Sequence, residues 1–250
     1  MKIAVCGKGG SGKSTITSLL AKEFASRGRK VLVIDCDESN YGLHQQLGMD
    51  IPTSLTEYMG GKRHVMSGLS NGPQNMPMLF EHRWSIDELP KECCSEKDGI
   101  KLLTPGKIET ANEACACAFA VVMLQFMAIL DLKDDEIVIM DMEAGIEHFG
   151  RGTDNTTDAV LMVVDPSYES IKLSRKVAEM SKSIGKELFY ILNKTNAENE
   201  AVMREAVADY GKILASLPMD AEIQKAGLMG TELSSGNSQA VCMVDALLKN

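Results

Sequence analysis

The feature that most constrains the fold of this chain is a glycine-rich octapeptide between two apolar stretches. Residues 7–14 read Gly-Lys-Gly-Gly-Ser-Gly-Lys-Ser, after the β-type apolar run 3–6 and at the start of a stretch with helical spacing, 13–26. A strand, a glycine-rich turn and a helix start in this order bring backbone N–H groups and a helix N-terminus to one point, where they bind phosphate. We therefore predict a phosphate-binding loop at residues 7–14.

The residues that define this loop pattern, which are the glycines, Lys13 and Ser14, each have a predicted role. Lys13 reaches the β and γ phosphates, Ser14 ligates Mg²⁺, and the glycines let backbone N–H groups turn inward. Lys8 is not needed by this pattern, and from the loop rim it can reach a nucleotide bound to another molecule. The predicted nucleotide-binding residues here are Gly7, Lys8, Gly9, Gly10, Ser11, Gly12, Lys13, Ser14 and Thr15.

With Lys8, the loop resembles that of the deviant Walker A ATPases, the family of MinD, ParA, ArsA and the nitrogenase iron protein. The resemblance implies a P-loop NTPase that binds ATP and Mg²⁺ and hydrolyses ATP to ADP and phosphate. It also implies an ATP-promoted homodimer, in which Lys8 reaches the partner's phosphates and is catalytic together with Lys13.

The order of apolar segments predicts an α/β fold with a mostly parallel sheet and helices on both faces, because β-type runs alternate with helical patterns. We predict one domain over residues 1–250, with an irregular insertion at about 50–100 where Pro and Gly interrupt every periodicity. Candidate strands are 2–6, 30–35, 101–104, 136–142, 159–164, 187–193 and 212–217, and candidate helices are 13–26, 118–131, 168–184, 198–209 and 239–248.

Charge and hydropathy argue against several classes of partner. The net charge is −9 and no cluster of Lys and Arg marks a candidate helix face, so nucleic acid is not an expected partner. No apolar run is long enough to span a bilayer, the chain starts directly with a strand, and the last helix lacks a basic face. We expect a cytoplasmic protein with no membrane partner.

Three acidic residues lie at the ends of two predicted strands, at the sheet edge where ligands bind in open α/β folds. Asp35 and Asp37 follow strand 30–35, and the resemblance to switch I of the family assigns water activation to Asp37, with Asp35 structural or near Mg²⁺. Asp141 ends strand 136–142 as a Walker B acid near Mg²⁺. Gly145 completes a DxxAG form of switch II, whose small residues let the backbone approach the γ-phosphate.

An amide completes the predicted nucleotide site. Asn193 follows strand 187–193, where the family carries a residue that binds the nucleotide base, and its side chain offers both a donor and an acceptor to the adenine edge. By itself, an Asn-Lys pair after a strand is equally well explained as a turn.

Cys115 and Cys117 form a CxC pair just before the helix predicted at 118–131. Two thiolates are half of a closed tetrahedral metal site, and a twofold dimer applies the pair twice. With the run 141–148, the pair makes the chain resemble the CooC-type ATPases, which assist nickel insertion into carbon monoxide dehydrogenase. This resemblance implies Ni²⁺, or Zn²⁺ in its place, on Cys115 and Cys117 of both subunits, and a client metalloenzyme.

The other cysteines and one histidine have simpler interpretations. Seven cysteines in a cytosolic chain are expected to be thiols. Cys6, Cys36 and Cys242 are interpreted as small core residues, Cys93-Cys94 as inert loop thiols, and His148 as a hydrogen-bonding residue of switch II.

Two other functions remain open. The first is an iron–sulfur electron-transfer protein like the nitrogenase iron protein, with a cluster on the same four thiolates. The second is a MinD- or ParA-like positioning ATPase that binds no metal.

Overall fold

The computed structural model describes residues 1–69, 78–108, 110 and 117–249. Within these residues, eight strands form one sheet in the order β3-β4-β2-β5-β1-β6-β7-β8, and every neighbouring pair is parallel except β3 and β4. The strands are β1 (Lys2–Gly7), β2 (Lys30–Asp35), β3 (Ser95–Lys97), β4 (Ile100–Leu103), β5 (Glu136–Asp141), β6 (Ala159–Val164), β7 (Glu187–Thr195) and β8 (Lys212–Pro218).

Helices connect the strands and fill the insertion. They are α1 (Lys13–Ser26), α2 (Leu43–Leu47), α3 (Leu55–Tyr58), α4 (Gly61–Leu69), α5 (Cys117–Ile129), α6 (Glu147–Arg151), α7 (Tyr168–Ser183), α8 (Glu200–Val207), α9 (Ala221–Met229) and α10 (Ser238–Leu247). None of them, within the described part of the chain, is long and apolar enough to cross a bilayer.

The sheet separates two apolar cores, because successive residues of a strand point to opposite faces. On β1, Ile3 and Val5 pack with helices α1 and α10, whereas Ala4 and Cys6 pack with α5, α7 and α8. Both sets of β1 side chains are buried. The predicted α/β fold, with a mostly parallel sheet and helices on both faces, is confirmed.

The insertion contains the expected short helices and one strand that was not predicted. Helices α3 and α4 and two 3₁₀ turns lie at this side of the sheet, as expected for a region broken by Pro and Gly. Strand β3 was not predicted, because its sequence Ser-Glu-Lys carries no apolar pattern, and it pairs antiparallel with β4 at the sheet edge. An edge strand needs only one neighbour, so backbone pairing suffices there.

Two other expectations need correction. Cys242 lies exposed on α10, so its interpretation as a core residue is wrong. The buried side of this helix consists of Ala240, Met243, Val244 and Leu247. Helix α9 was also not predicted, because it buries none of its residues and so lacks an apolar stripe that a pattern could reveal.

A matched pair of leucines tests the packing of α1. Leu20 is fully buried against the sheet, whereas Leu228 on α9 is 86% exposed. Leu20→Ala should lower the free energy of unfolding by about 2–5 kcal/mol, since it leaves a cavity. Leu228→Ala should change it by less than about 0.5 kcal/mol. Urea unfolding of both variants measures the difference, and equal losses would contradict the assignment of α1 to the core.

Candidate nucleotide-binding site

The glycine-rich loop joins β1 to α1 with a backbone that only glycine permits at two points. Gly12 precedes α1 with φ +105°, in the region that L side chains rarely adopt. At Gly7, an added Cβ would lie 2.6 Å from the carbonyl oxygen of Val163, closer than real Cβ atoms approach. These glycines let the loop turn tightly at the carboxyl edge of the sheet, as predicted.

A cavity of about 590 Å³ opens over this loop. Its wall includes the loop itself, the residues after β2, Ala144, and the segment after β8 with one side of α9. Predicted residues in the wall are Gly9, Gly10, Gly12, Lys13, Ser14, Thr15, Asp37 and Asn193. The cavity is therefore bounded by the phosphate loop, the carboxylate that follows β2 and the amide that ends β7.

Ser14 and Asp141 form the oxygen cluster expected for Mg²⁺. The Ser14 hydroxyl donates to Asp141 Oδ2 at 2.6 Å, and the Thr17 hydroxyl donates to Oδ1 at 3.3 Å. Burial, followed by the neighbouring Asp35 charge, raises the pKa of Asp141 to about 7. A buried carboxylate next to a hydroxyl suits a hard cation, since the cation stabilises the negative charge that has lost its water through burial. These residues fit the ion.

Asp35 is bound by a lysine that the sequence did not reveal. Lys107 Nζ lies 2.7 Å from Asp35 Oδ2, and both side chains are almost fully buried. Burial nevertheless raises the pKa of Asp35 to about 6, with Lys107 opposing the shift. Lys107 follows a Pro-Gly dipeptide after β4, at the carboxyl edge of the sheet. This position in the sequence could have marked it as a residue of the site. Asp35 is structural in this arrangement.

The same lysine holds the Asp37 loop, residues 36–42. Lys107 Nζ donates to the carbonyl oxygens of Asp37 and Asn40, each at 2.6 Å. The Asp37 carboxylate accepts bonds from the backbone N–H and the hydroxyl of Ser39, which form a turn. Asp37 thus faces the cavity from a loop whose backbone is fixed from behind by a buried ammonium group.

Lys8 is partly exposed and pairs with an acid, and its reach to a partner's nucleotide stays a prediction. Its Nζ is 3.7 Å from Asp165 Oδ2, and its side chain is 30% exposed. Asp165 directly follows β6, and its other oxygen accepts from the Ser167 hydroxyl. An acid after a strand beside β1 was a readable signal that the sequence analysis missed.

Asn193 contacts the phosphate loop directly. Its Nδ2 donates to Ser11 O at 2.8 Å, while its Oδ1 accepts from Lys194 N–H. Lys194 has φ +59° and donates through Nζ to Gly10 O at 2.6 Å. Asn193 and Lys194 therefore tie the end of β7 to the loop, and a contact of Asn193 with adenine stays a prediction.

Switch II also touches the loop. The N–H of Gly145 donates to the carbonyl oxygen of Gly7 at 3.3 Å, and Gly145 has φ +101°. Ala144 lies in the cavity wall. Residues 144–145 therefore contact both the loop and the cavity, and their role as a switch stays a prediction.

The metal prediction falls partly outside the described residues, since Cys115 lies there. Cys117 is the exposed first residue of α5 and is disulfide-bonded, which corrects the expectation that every cysteine is a thiol. No cluster of three His, Cys, Asp or Glu side chains suited to a metal occurs among the residues with described positions. Burial raises the pKa of Cys93 to about 12 and of Cys94 to about 11, in keeping with inert thiols.

The buried ion pair gives a stability prediction for the nucleotide-free protein. Lys107→Met leaves Asp35 buried without its cation and should lower the free energy of unfolding by about 3–5 kcal/mol at pH 8. The loss should be smaller at pH 5, below the Asp35 pKa of about 6, because the protonated carboxyl group needs no cation. Urea unfolding at both pH values measures this.

The control replaces both partners. Asp35→Leu combined with Lys107→Met removes the two charges together and should recover much of the stability. An equal loss in the single and double variants would mean that Lys107 stabilises the protein by packing and by its bonds to the Asp37 and Asn40 carbonyl oxygens, and not by pairing with the Asp35 charge.

Comparisons with known proteins agree with this geometry. The model of the CobQ/CobB/MinD/ParA nucleotide binding domain matches residues 2–233. The chain is 48% identical to an uncharacterised ATP-binding protein of Methanocaldococcus jannaschii, with all of both chains covered. It is 33% identical to the carbon monoxide dehydrogenase accessory protein CooC of Rhodospirillum rubrum, covering 100% of this chain and 97% of that protein.

The fold has solved counterparts. The septum site-determining protein MinD of Pyrococcus horikoshii, solved with Mg-ADP, aligns with a TM-score of 0.69 at 16% identity, covering 98% of this chain and 95% of that one. This likeness concerns the fold, whereas the family model spans most of the sequence. The chain belongs to the CobQ/CobB/MinD/ParA family of nucleotide-binding proteins.

Proposed function

We propose that this protein is a dimerising, Mg²⁺-dependent ATPase that binds nickel, or zinc in its place, and delivers it to carbon monoxide dehydrogenase or a related metalloenzyme. The observation that carries the ATPase is the extra lysine at the rim of a complete phosphate loop. Lys8 is partly exposed and bound by one long ion pair, so it is free to exchange Asp165 for a partner's phosphate.

Nucleotide binding follows from the loop and its neighbours. Backbone N–H groups of the loop and Lys13 bind the phosphates, and Ser14 with Asp141 holds Mg²⁺, which neutralises phosphate charge when bound. Asn193 forms the wall nearest to the base. The charge on Asp141 becomes favourable with the cation, because the buried carboxylate then has a partner.

Hydrolysis is assigned to Asp37. Its carboxylate stands in the cavity wall at the carboxyl edge of the sheet, where it can orient or deprotonate the attacking water. Lys8 of the other subunit then stabilises charge on the transferred phosphoryl group. Hydrolysis requires both residues, and dimerisation brings them together.

The metal is the cargo, and its site needs two copies of the chain. Cys117 opens α5 and is exposed, so a twofold partner can meet it, and two CxC pairs supply four thiolates. Binding requires the reduced form of the cysteine, since thiolates and not disulfides ligate metals. The 33% identity to an accessory protein of carbon monoxide dehydrogenase supports that enzyme as the client, and nickel is the cargo that the resemblance to the CooC-type ATPases implies.

The fold also offers a connection between nucleotide and cargo. The segment after β4 contacts the Asp37 loop through Lys107, through the Tyr41 hydroxyl on Ile108 O at 2.7 Å, and through Ile108 N–H on Glu38 O at 3.0 Å. This segment leads along the chain to the CxC pair. A change in the Asp37 loop on hydrolysis therefore acts directly on the segment that precedes the cysteines.

Lys8→Ala tests the cross-subunit role. The variant should bind ATP as a monomer, but lose ATP-promoted dimerisation and slow hydrolysis about a hundredfold, as for other groups that stabilise transition-state charge. Light scattering after size exclusion, with and without Mg·ATP, and phosphate release measure the two effects.

Asp37→Ala is the matched comparison. It keeps Lys8 and removes the water-activating carboxylate, so it should dimerise with ATP and not hydrolyse it. Normal dimerisation and turnover in Lys8→Ala would contradict the proposed dimer chemistry.

Replacing the cysteine pair tests the cargo. Cys115→Ser with Cys117→Ser should abolish stoichiometric nickel binding by the reduced, anaerobically purified protein, because hydroxyl groups are poor ligands for a soft site. Metal analysis after gel filtration measures this, and the exposed Cys242→Ser is the control that should still bind. Retained nickel in the double variant would place the site elsewhere. A visible iron–sulfur absorption band in the wild type would favour the electron-transfer function instead.

A further inference from the structure

Asn40 joins the Mg²⁺-binding cluster to the Asp37 loop. Its Nδ2 donates to Ser14 Oγ at 2.8 Å, and its Oδ1 accepts from Gly42 N–H at 2.9 Å. Its carbonyl oxygen accepts from Lys107 Nζ at 2.6 Å. The residue also lies in the cavity wall together with Ser14 and Asp37. One side chain therefore contacts the oxygen that is expected to bind the metal, while its backbone belongs to the catalytic loop.

The contact of Asn40 with Ser14 is unfavourable beside a bound cation, because the amide presents the positive end of its dipole to the oxygen. The Ser14 hydroxyl donates its hydrogen to Asp141 and accepts from Asn40, so one of its two lone pairs is occupied by an N–H donor. Mg²⁺ attracts the electron density of that same oxygen and repels the positive end of the amide. It also demands close, regular oxygen coordination. The second lone pair stays open to the ion, but a bound ion and the amide N–H would place two positive groups on the same oxygen, so each weakens the binding of the other.

We propose that Asn40 is a positioning residue that lowers the Mg²⁺ affinity of Ser14, since its amide N–H opposes the ion on the same oxygen and must turn away when the ion binds. Lys107 still holds the carbonyl oxygens of Asp37 and Asn40 when the side chain leaves, so the backbone stays anchored there. Only the Asn40 side chain therefore has to turn away. The inference deepens the proposed ATPase function and rests on it.

The test separates metal binding from nucleotide binding. A fluorescent ADP analogue bound to the protein is titrated with Mg²⁺, and the half-saturating concentration is compared between variants. Asn40→Ala should lower this concentration about fivefold, since a competing amide bond of ordinary strength is lost. In EDTA, the same variant should bind the analogue as the wild type does, because Asn40 acts through the metal.

Asn40→Asp is the near-isosteric second variant. It replaces the competing N–H by an oxygen ligand and should also lower the half-saturating Mg²⁺ concentration below that of the wild type. Asn199→Ala, on a side chain that caps a turn after β7, is the control and should cause no shift.

An unchanged or raised Mg²⁺ requirement in Asn40→Ala would overturn the inference, since Asn40 would then be neutral or would support the ion. Such a result with normal Mg·ATP hydrolysis by the wild type leaves the proposed function standing. Failure of the wild type to bind or hydrolyse the nucleotide would instead overturn the proposed function.

Discussion

Two buried carboxylates that lie side by side determine the rest of the site. Asp35 and Asp141 are register partners at the ends of neighbouring strands β2 and β5, and the Asp35 charge contributes to the raised pKa of Asp141. Two acids so placed require positive charge, because a low-dielectric site penalises both ionised groups. Lys107 supplies it to Asp35, whereas the hydrogen bonds described above for the Asp141 carboxylate come from the Ser14 and Thr17 hydroxyls, and Lys13 acts on it only through its charge. Asp35 thus has a cation of its own, and Asp141 is the acid that fits an added one.

Most of the fold was predictable because its elements carry their own signals. The interior strands are continuous apolar runs, and α1 starts at the residue that the loop pattern requires. Strand β3 and helix α9 were not predictable in this way, since one is polar and paired only at an edge and the other buries no residue. Their positions depend on backbone pairing and on the chain around them, which no local pattern records.

The site divides similarly. Ser14, Asp37, Asp141 and Asn193 were found because each follows a strand or completes a motif, and the structure brings them to one cavity or cluster. Lys107, Asn40 and Asp165 were missed because their roles come from contacts between distant segments. Asp165 obeys the same rule as Asp141, an acid directly after a strand, and this rule applied to every strand would have found it. The dimer and the cysteine site need a second chain, so they stay predictions.

The lysines around the phosphate loop have a consequence for turnover. Lys13 donates to Lys8 O at 3.5 Å, Lys194 donates to Gly10 O at 2.6 Å, and Lys8 pairs with Asp165. Each ammonium group thus has a partner within the protein, so phosphate binding exchanges one set of contacts for another. The net gain per contact is then a difference between two similar energies. Such exchange would moderate the affinity for a phosphate group and ease its release, because the lysines return to their own partners when it leaves.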